Sequence, residues 1–124
     1  MAKNFTSNRQ LGTYGENLAK DFLINKKFKI LEMNYHYSKN SEIDIIALKD
    51  DIIHFVEVKT RTKNTFGEPV EAITPKKLSS IYQCAVFYMQ NNKNKYKSFR
   101  IDAIGIMISK GNEPEFNFIE NISL

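Results

Sequence analysis

Two apolar, β-branched runs, residues 43–48 and 52–58, flank Lys49-Asp50-Asp51 and leave the chain few choices: they read as two strands joined by a tight hairpin. A loop at Asp50-Asp51, or a symmetric four-residue loop from Lys49 to Ile52, sets Asp44 opposite Glu57 and Glu42 opposite Lys59. Side chains alternate along a strand, so these residues are expected on one face, at the end of an apolar surface formed by Ile46, Leu48, Ile53 and Phe55. Directly opposed Cβ atoms lie roughly 4.5 to 5.5 Å apart, where two like charges destabilise a sheet. A hard divalent cation removes that repulsion, because one or two carboxylates suffice for a Mg²⁺ that keeps several waters. Lys59, one step along the same face, would orient or deprotonate a water held there. The plain alternative is a solvated sheet end with a surface ion pair, a feature that is common and contributes little.

The chain has 124 residues, enough for one domain with a real core and too few for two. Residues 1–9 are polar and without period, an expected flexible segment ahead of a single domain over residues 10–124. No apolar run approaches a membrane span, and Met1-Ala2-Lys3-Asn4-Phe5 carries no apolar signal segment, so the expected location is the cytoplasm, with no membrane partner. The single cysteine, Cys84, excludes an internal disulfide and falls in an apolar helical run, where packing is its expected role. Neither His36 nor His54 has a second histidine or cysteine at ligand spacing, which argues against zinc. The net charge of +4 leans mildly towards polyanions. Its clustering says more: Arg61 and Lys63 follow Lys59, and Lys76 and Lys77 open a helix, positions suited to phosphate contacts.

In chain order, Leu11, Tyr14, Gly15, Leu18, Ala19, Phe22 and Leu23 recur at helical spacing and predict an amphipathic helix over residues 10–25, with Glu16 beside the apolar arc. Residues 28–37 read as a first strand and the hairpin follows; apolar residues on both of its faces predict a sheet covered on both sides. The loop over residues 62–69, with Phe66, Gly67 and Pro69, is of the kind that touches substrate beside a rigid sheet. Thr74-Pro75 starts a second helix to about residue 90, with Thr as N-cap and Pro in the first turn. Strands are predicted over residues 98–108 and 115–119. The order gives an α/β arrangement, a mixed central sheet flanked by helices, without repeat or linker.

Gly12-Thr13-Tyr14-Gly15-Glu16-Asn17-Leu18-Ala19, Glu42-Ile43-Asp44-Ile45-Ile46-Ala47, Phe55-Val56-Glu57-Val58-Lys59-Thr60-Arg61 and Phe66-Gly67-Glu68-Pro69-Val70-Glu71-Ala72 occur in that order. On these segments the chain resembles the UPF0102, or YraN-like, family over about residues 10–122. That family in turn resembles the PD-(D/E)XK nucleases and Holliday junction resolvases, which implies a restriction-endonuclease-like fold. The resemblance implies Asp44 and Glu57 as Mg²⁺ ligands, Lys59 as the residue that positions or activates water, and Glu16 as an assisting acid. Ser41 departs from the usual glycine before Glu-Ile-Asp, which matters if the backbone there needs positive φ.

The expected function is a Mg²⁺- or Mn²⁺-dependent endonuclease hydrolysing phosphodiester bonds in nucleic acid, DNA first of all, including branched intermediates. A homodimer would let two such sites cut two strands. The alternative from another class is a nucleic-acid-binding module with a nuclease-like shape and no cleavage, its affinity set by counterion release. A third is an interaction protein that uses the Phe66 loop or an exposed strand.

Overall fold

In the computed structural model, which describes residues 5, 7–39, 41–62, 73–91 and 96–122, the hairpin forms as a two-residue turn. Lys49 pairs with Ile52, and Asp50 and Asp51 take φ angles of 52° and 63°. Both central residues are therefore left-handed, as a type I′ turn requires, and a short polar side chain such as aspartate tolerates that conformation. Around it the elements run α1 (Asn8–Asn25), β1 (Lys29–Ser38), β2 (Ser41–Lys49), β3 (Ile52–Thr62), α2 (Pro75–Asn91), β4 (Ser98–Ile108) and β5 (Glu115–Ile119). The five strands form one sheet in the order β1-β2-β3-β4-β5. All neighbours are antiparallel except β3 and β4, which are parallel and need the crossover that contains α2. This mixed sheet with its two helices is an α/β fold compatible with the restriction-endonuclease-like architecture.

Each helix covers one face. On one side Ala19 and Leu23 of α1 pack over Ile45, Ala47, Val56 and Ile106; on the other Ile81, Cys84 and Ala85 of α2 pack over Ile46, Ile53, Phe55 and Ile101. Cys84 is fully buried there. No helix among the described residues is long and apolar enough to cross a membrane. Helix α1 starts at Asn8, two residues before its apolar period, because Ser7 caps it and accepts a hydrogen bond from Gln10 N at 3.2 Å. Of the segment expected to be flexible, residues 1–4 and 6 lie outside the described residues, and the Phe5 ring packs 5.2 Å from that of Tyr14. Thr74 caps α2 as expected, its hydroxyl accepting from Lys77 N at 3.1 Å.

Strict alternation fails at more than one place on β1, and one of these breaks positions the site. Met33 and Ile45 pack on the α1 side, whereas Tyr35 and Ile43, each only two residues away, pack on the α2 side. Residues two apart on a regular strand share a face. The β1–β2 register runs through Met33↔Ile45 and Tyr35↔Ile43 and skips Asn34 with Asp44, and Asn34 has a φ of 54°. The β2–β3 register ends at Ile45↔Val56. Asp44 thus sits where the main-chain ladder is interrupted on both sides. Its carboxylate substitutes for a strand carbonyl, with Oδ2 accepting from Val58 N at 2.8 Å.

Candidate active site

That hydrogen bond fixes where Asp44 points. A strand N–H lies in the plane of the sheet, so a side chain that accepts from Val58 N is inserted between β2 and β3 rather than raised over either face. The expectation that alternation sets Glu42, Asp44, Glu57 and Lys59 on one face is corrected here: the break at Asp44 takes it out of the face, and the pairing of Glu42 with Lys59 lies beyond the end of the ladder. Glu42 instead lies in register with His36 on β1.

Three elements nevertheless bring their acids together. Glu57, only 3% exposed, comes from the α2 side of β3 and lies close enough to feel the charge of the Asp44 carboxyl. Glu16 comes from α1 on the other side, close enough for the charges of Asp44 and Glu42 to act on it. Gly15 makes that approach possible, because a Cβ there would fall 1.8 Å from Thr60 Oγ1. The bare glycine lets α1 settle on β3 and carries Glu16 to the end of the slot. Two ammonium groups face the acids: Lys77 Nζ is 3.5 Å and Lys59 Nζ 3.9 Å from Glu57 Oε2.

The cluster holds protons tightly. Burial, then the hydrogen bond and negative charge of Asp44, push the Glu57 carboxyl from 4.5 up to about 8, against the opposing pull of Lys77 and Lys59. Burial, followed by the charges of Asp44 and Glu42, pushes Glu16 up to about 7, while a hydrogen bond from Asn34 acts the other way. Desolvation and like-charge repulsion outweigh both lysines.

Of the residues singled out from sequence, Glu16, Asp44, Glu57 and Lys59 converge. Lys77, expected as a nucleic-acid contact, places its ammonium 3.5 Å from Glu57 Oε2. Lys76 beside it is exposed on the first turn of α2, and Arg61 is half-buried on β3. Lys63 and the Phe66 loop lie outside the described residues. Ser41 is not among the positive-φ residues, so the departure from glycine costs nothing there; its hydroxyl meets that of Ser80 on α2 at 3.1 Å.

Sequence reasoning missed Asn34. With its amide turned so that the nitrogen faces the acids, it donates to Glu16 Oε1 at 3.0 Å and to Glu42 Oε1 at 3.1 Å. The only available signal was an asparagine, a residue tolerant of left-handed backbone, in the middle of an otherwise strand-like run.

Among the described residues no group of three or more Asp, Glu, His or Cys side chains stands in a ready-made metal cage. The donor chemistry still fits a hard cation that keeps most of its waters, because such an ion needs one or two carboxylates, and Asp44 and Glu57 are adjacent, oxygen-bearing and mutually repelling.

Residues 15–106 match the family described as "Uncharacterised protein family UPF0102". The chain belongs to this family. It is 40% identical over 114 residues to a UPF0102 protein of Syntrophomonas wolfei, a match covering 92% of this chain and 97% of that relative. A UPF0102 protein of Campylobacter hominis is 44% identical over 115 residues, covering 93% and 95% of the two chains, and one of Clostridium novyi 39% over 118 residues, covering 94% and 98%. The UPF0102 match contains Glu16, Asn34, Asp44, Glu57, Lys59 and Lys77.

Proposed function

We propose that this UPF0102 protein is a Mg²⁺-dependent phosphodiesterase acting on nucleic acid, DNA first of all, with Mn²⁺ able to replace Mg²⁺. The observation that carries the reading is the convergence of Glu16, Asp44 and Glu57 from three separate elements on one slot in the sheet, with two lysine ammonium groups against Glu57. A purely structural sheet end has no need of a buried Glu57 and a half-buried Glu16 that both hold protons towards neutrality beside Asp44. The resemblance to PD-(D/E)XK nucleases supports the same reading.

Asp44 and Glu57 would hold the ion. When bound, it would polarise a scissile phosphate and lower the pKa of a coordinated water. The Val58 N–H keeps Asp44 aimed into the slot by occupying one of its oxygens. Lys59, with a third of its side chain exposed, lies at the mouth, where its ammonium can orient an attacking water or balance charge on the phosphate. Lys77 holds Glu57 from the α2 side, and Glu16 can take up a proton beside Asp44. Arg61 and Lys76 remain the candidates for phosphate contacts away from the reacting bond. The activity is assigned to the cytoplasm, where the buried, free Cys84 stays reduced.

The test is incubation with labelled branched, duplex and single-stranded DNA and RNA in Mg²⁺, Mn²⁺ or EDTA. Cleavage should require the divalent ion, and Asp44→Ala or Lys59→Ala should abolish it while leaving the circular dichroism spectrum unchanged. Equal cleavage by either variant, or cleavage that survives EDTA, overturns the proposal.

A further inference from the structure

We infer that the site takes one divalent cation, between Asp44 and Glu57, and that the Asn34 amide stands where a second would have to bind. The inference rests on the metal-dependent reading above. In two-ion phosphodiesterase centres the ions lie roughly 3.5–4 Å apart and need a second set of acids beside the first. Here that second set is Glu16 and Glu42.

One nitrogen, Asn34 Nδ2, already lies 3.0 Å from Glu16 Oε1 and 3.1 Å from Glu42 Oε1. An amide nitrogen carries two hydrogens, so it satisfies one oxygen of each acid at once and joins them as a bridging cation would. The amide is held in place by its backbone: Asn34 is left-handed at φ 54° and lies in the skipped step of the β1–β2 register, directly across from Asp44. The first pair of acids is different. Asp44 uses Oδ2 for Val58 N–H, and both lysines approach the same Glu57 oxygen, Oε2. Asp44 and Glu57 lie close enough for the negative charge of Asp44 to act on Glu57, and a cation between them would take up that repulsion. Asn34 is thus a positioning residue that fixes the ion count and keeps Glu16 directed at Asp44.

Mn²⁺ titration followed by electron paramagnetic resonance and by calorimetry counts ions per chain without reference to activity. Wild type is expected to bind one. Asn34→Asp, which retains a residue tolerant of the left-handed backbone but exchanges the donor for a third carboxylate, is expected to bind two. Asn34→Gly keeps the backbone and removes the donor; it should also admit a second ion, about tenfold more weakly than Asn34→Asp because it supplies one carboxylate fewer. Adding Glu16→Gln to Asn34→Asp should restore a count of one. Two ions on wild type, or one on both Asn34 variants with native circular dichroism, overturns the inference and leaves the metal-dependent reading standing. No ion on wild type removes that reading itself, and this inference with it.

Discussion

Replacing Glu57 with glutamine should make the metal-free protein more stable at alkaline pH. Glutamine has the shape of a protonated glutamate, and the folded protein holds Glu57 protonated up to about 8 against 4.5 for an ordinary glutamate. Below 4.5 folded and unfolded chains both carry the proton, so Glu57 contributes no pH dependence there. Between 4.5 and 8 only the unfolded chain releases it, and folding stability falls as pH rises, by at most about 1.4 kcal/mol per pH unit. From pH 5 to pH 8 this amounts to roughly 3 kcal/mol for a group as buried as Glu57. Lys59 and Lys77 oppose the effect, but burial and Asp44 outweigh them. Urea denaturation in EDTA, followed by circular dichroism at pH 5, 6.5 and 8, should give wild type and Glu57→Gln within about 1 kcal/mol at pH 5, with the variant ahead by roughly 3 kcal/mol at pH 8. Glu16 contributes a similar slope to both proteins, so the comparison isolates Glu57. With Mg²⁺ the wild type should recover most of the difference at pH 8 and the variant should gain nothing. Parallel pH profiles in EDTA would refute the claim that burial and Asp44 keep the proton on Glu57.

Gly15→Ala should cost about 1–3 kcal/mol, because its Cβ would fall 1.8 Å from Thr60 Oγ1; Thr60→Ala in the same chain should recover part of the loss in a thermal melt. Unchanged melting of the single variant would mean that α1 does not sit this close to β3. Asp102 is fully buried, pairs with His54 Nδ1 and accepts from Asn121 N at 2.8 Å. Asp102→Ala should therefore strand the buried His54 ring nitrogen, leave the Asn121 N–H without this acceptor, and cost about 1–3 kcal/mol by urea denaturation.

Much of the fold was legible because local chemistry decided it. The hairpin register followed from loop length alone, Thr74-Pro75 began α2 as written, and the strands at 98–108 and 115–119 follow their alternation. The start of α1 was less legible, since Asn8 and Arg9 carry no apolar period and the signal was a single capping serine. Within the site, the approach of Glu16 and Glu57 to Asp44 could be anticipated, but not by the right route. Alternation predicts a common face, whereas the acids meet because a left-handed Asn34 and the skipped pairing at Asp44 interrupt two ladders together. Such a break depends on the neighbouring strand, not on residues near it in sequence. The pairing of Lys77 with Glu57 was not legible either: helical position shows that a side chain can reach outward, but not which charge it meets.

The conformation of Asn34 also bears on how the molecule behaves in a crowded solution. Strand β1 ends the sheet, and among the described residues no strand pairs with its outer row of main-chain donors and acceptors. That row is interrupted by a register shift between Ile30 and Glu32 and again by the reversed φ of Asn34. A strand from a neighbouring molecule could follow it for only a few residues before losing step. The distortion that makes room for Asp44 thereby guards this edge of the sheet against growth by strand addition.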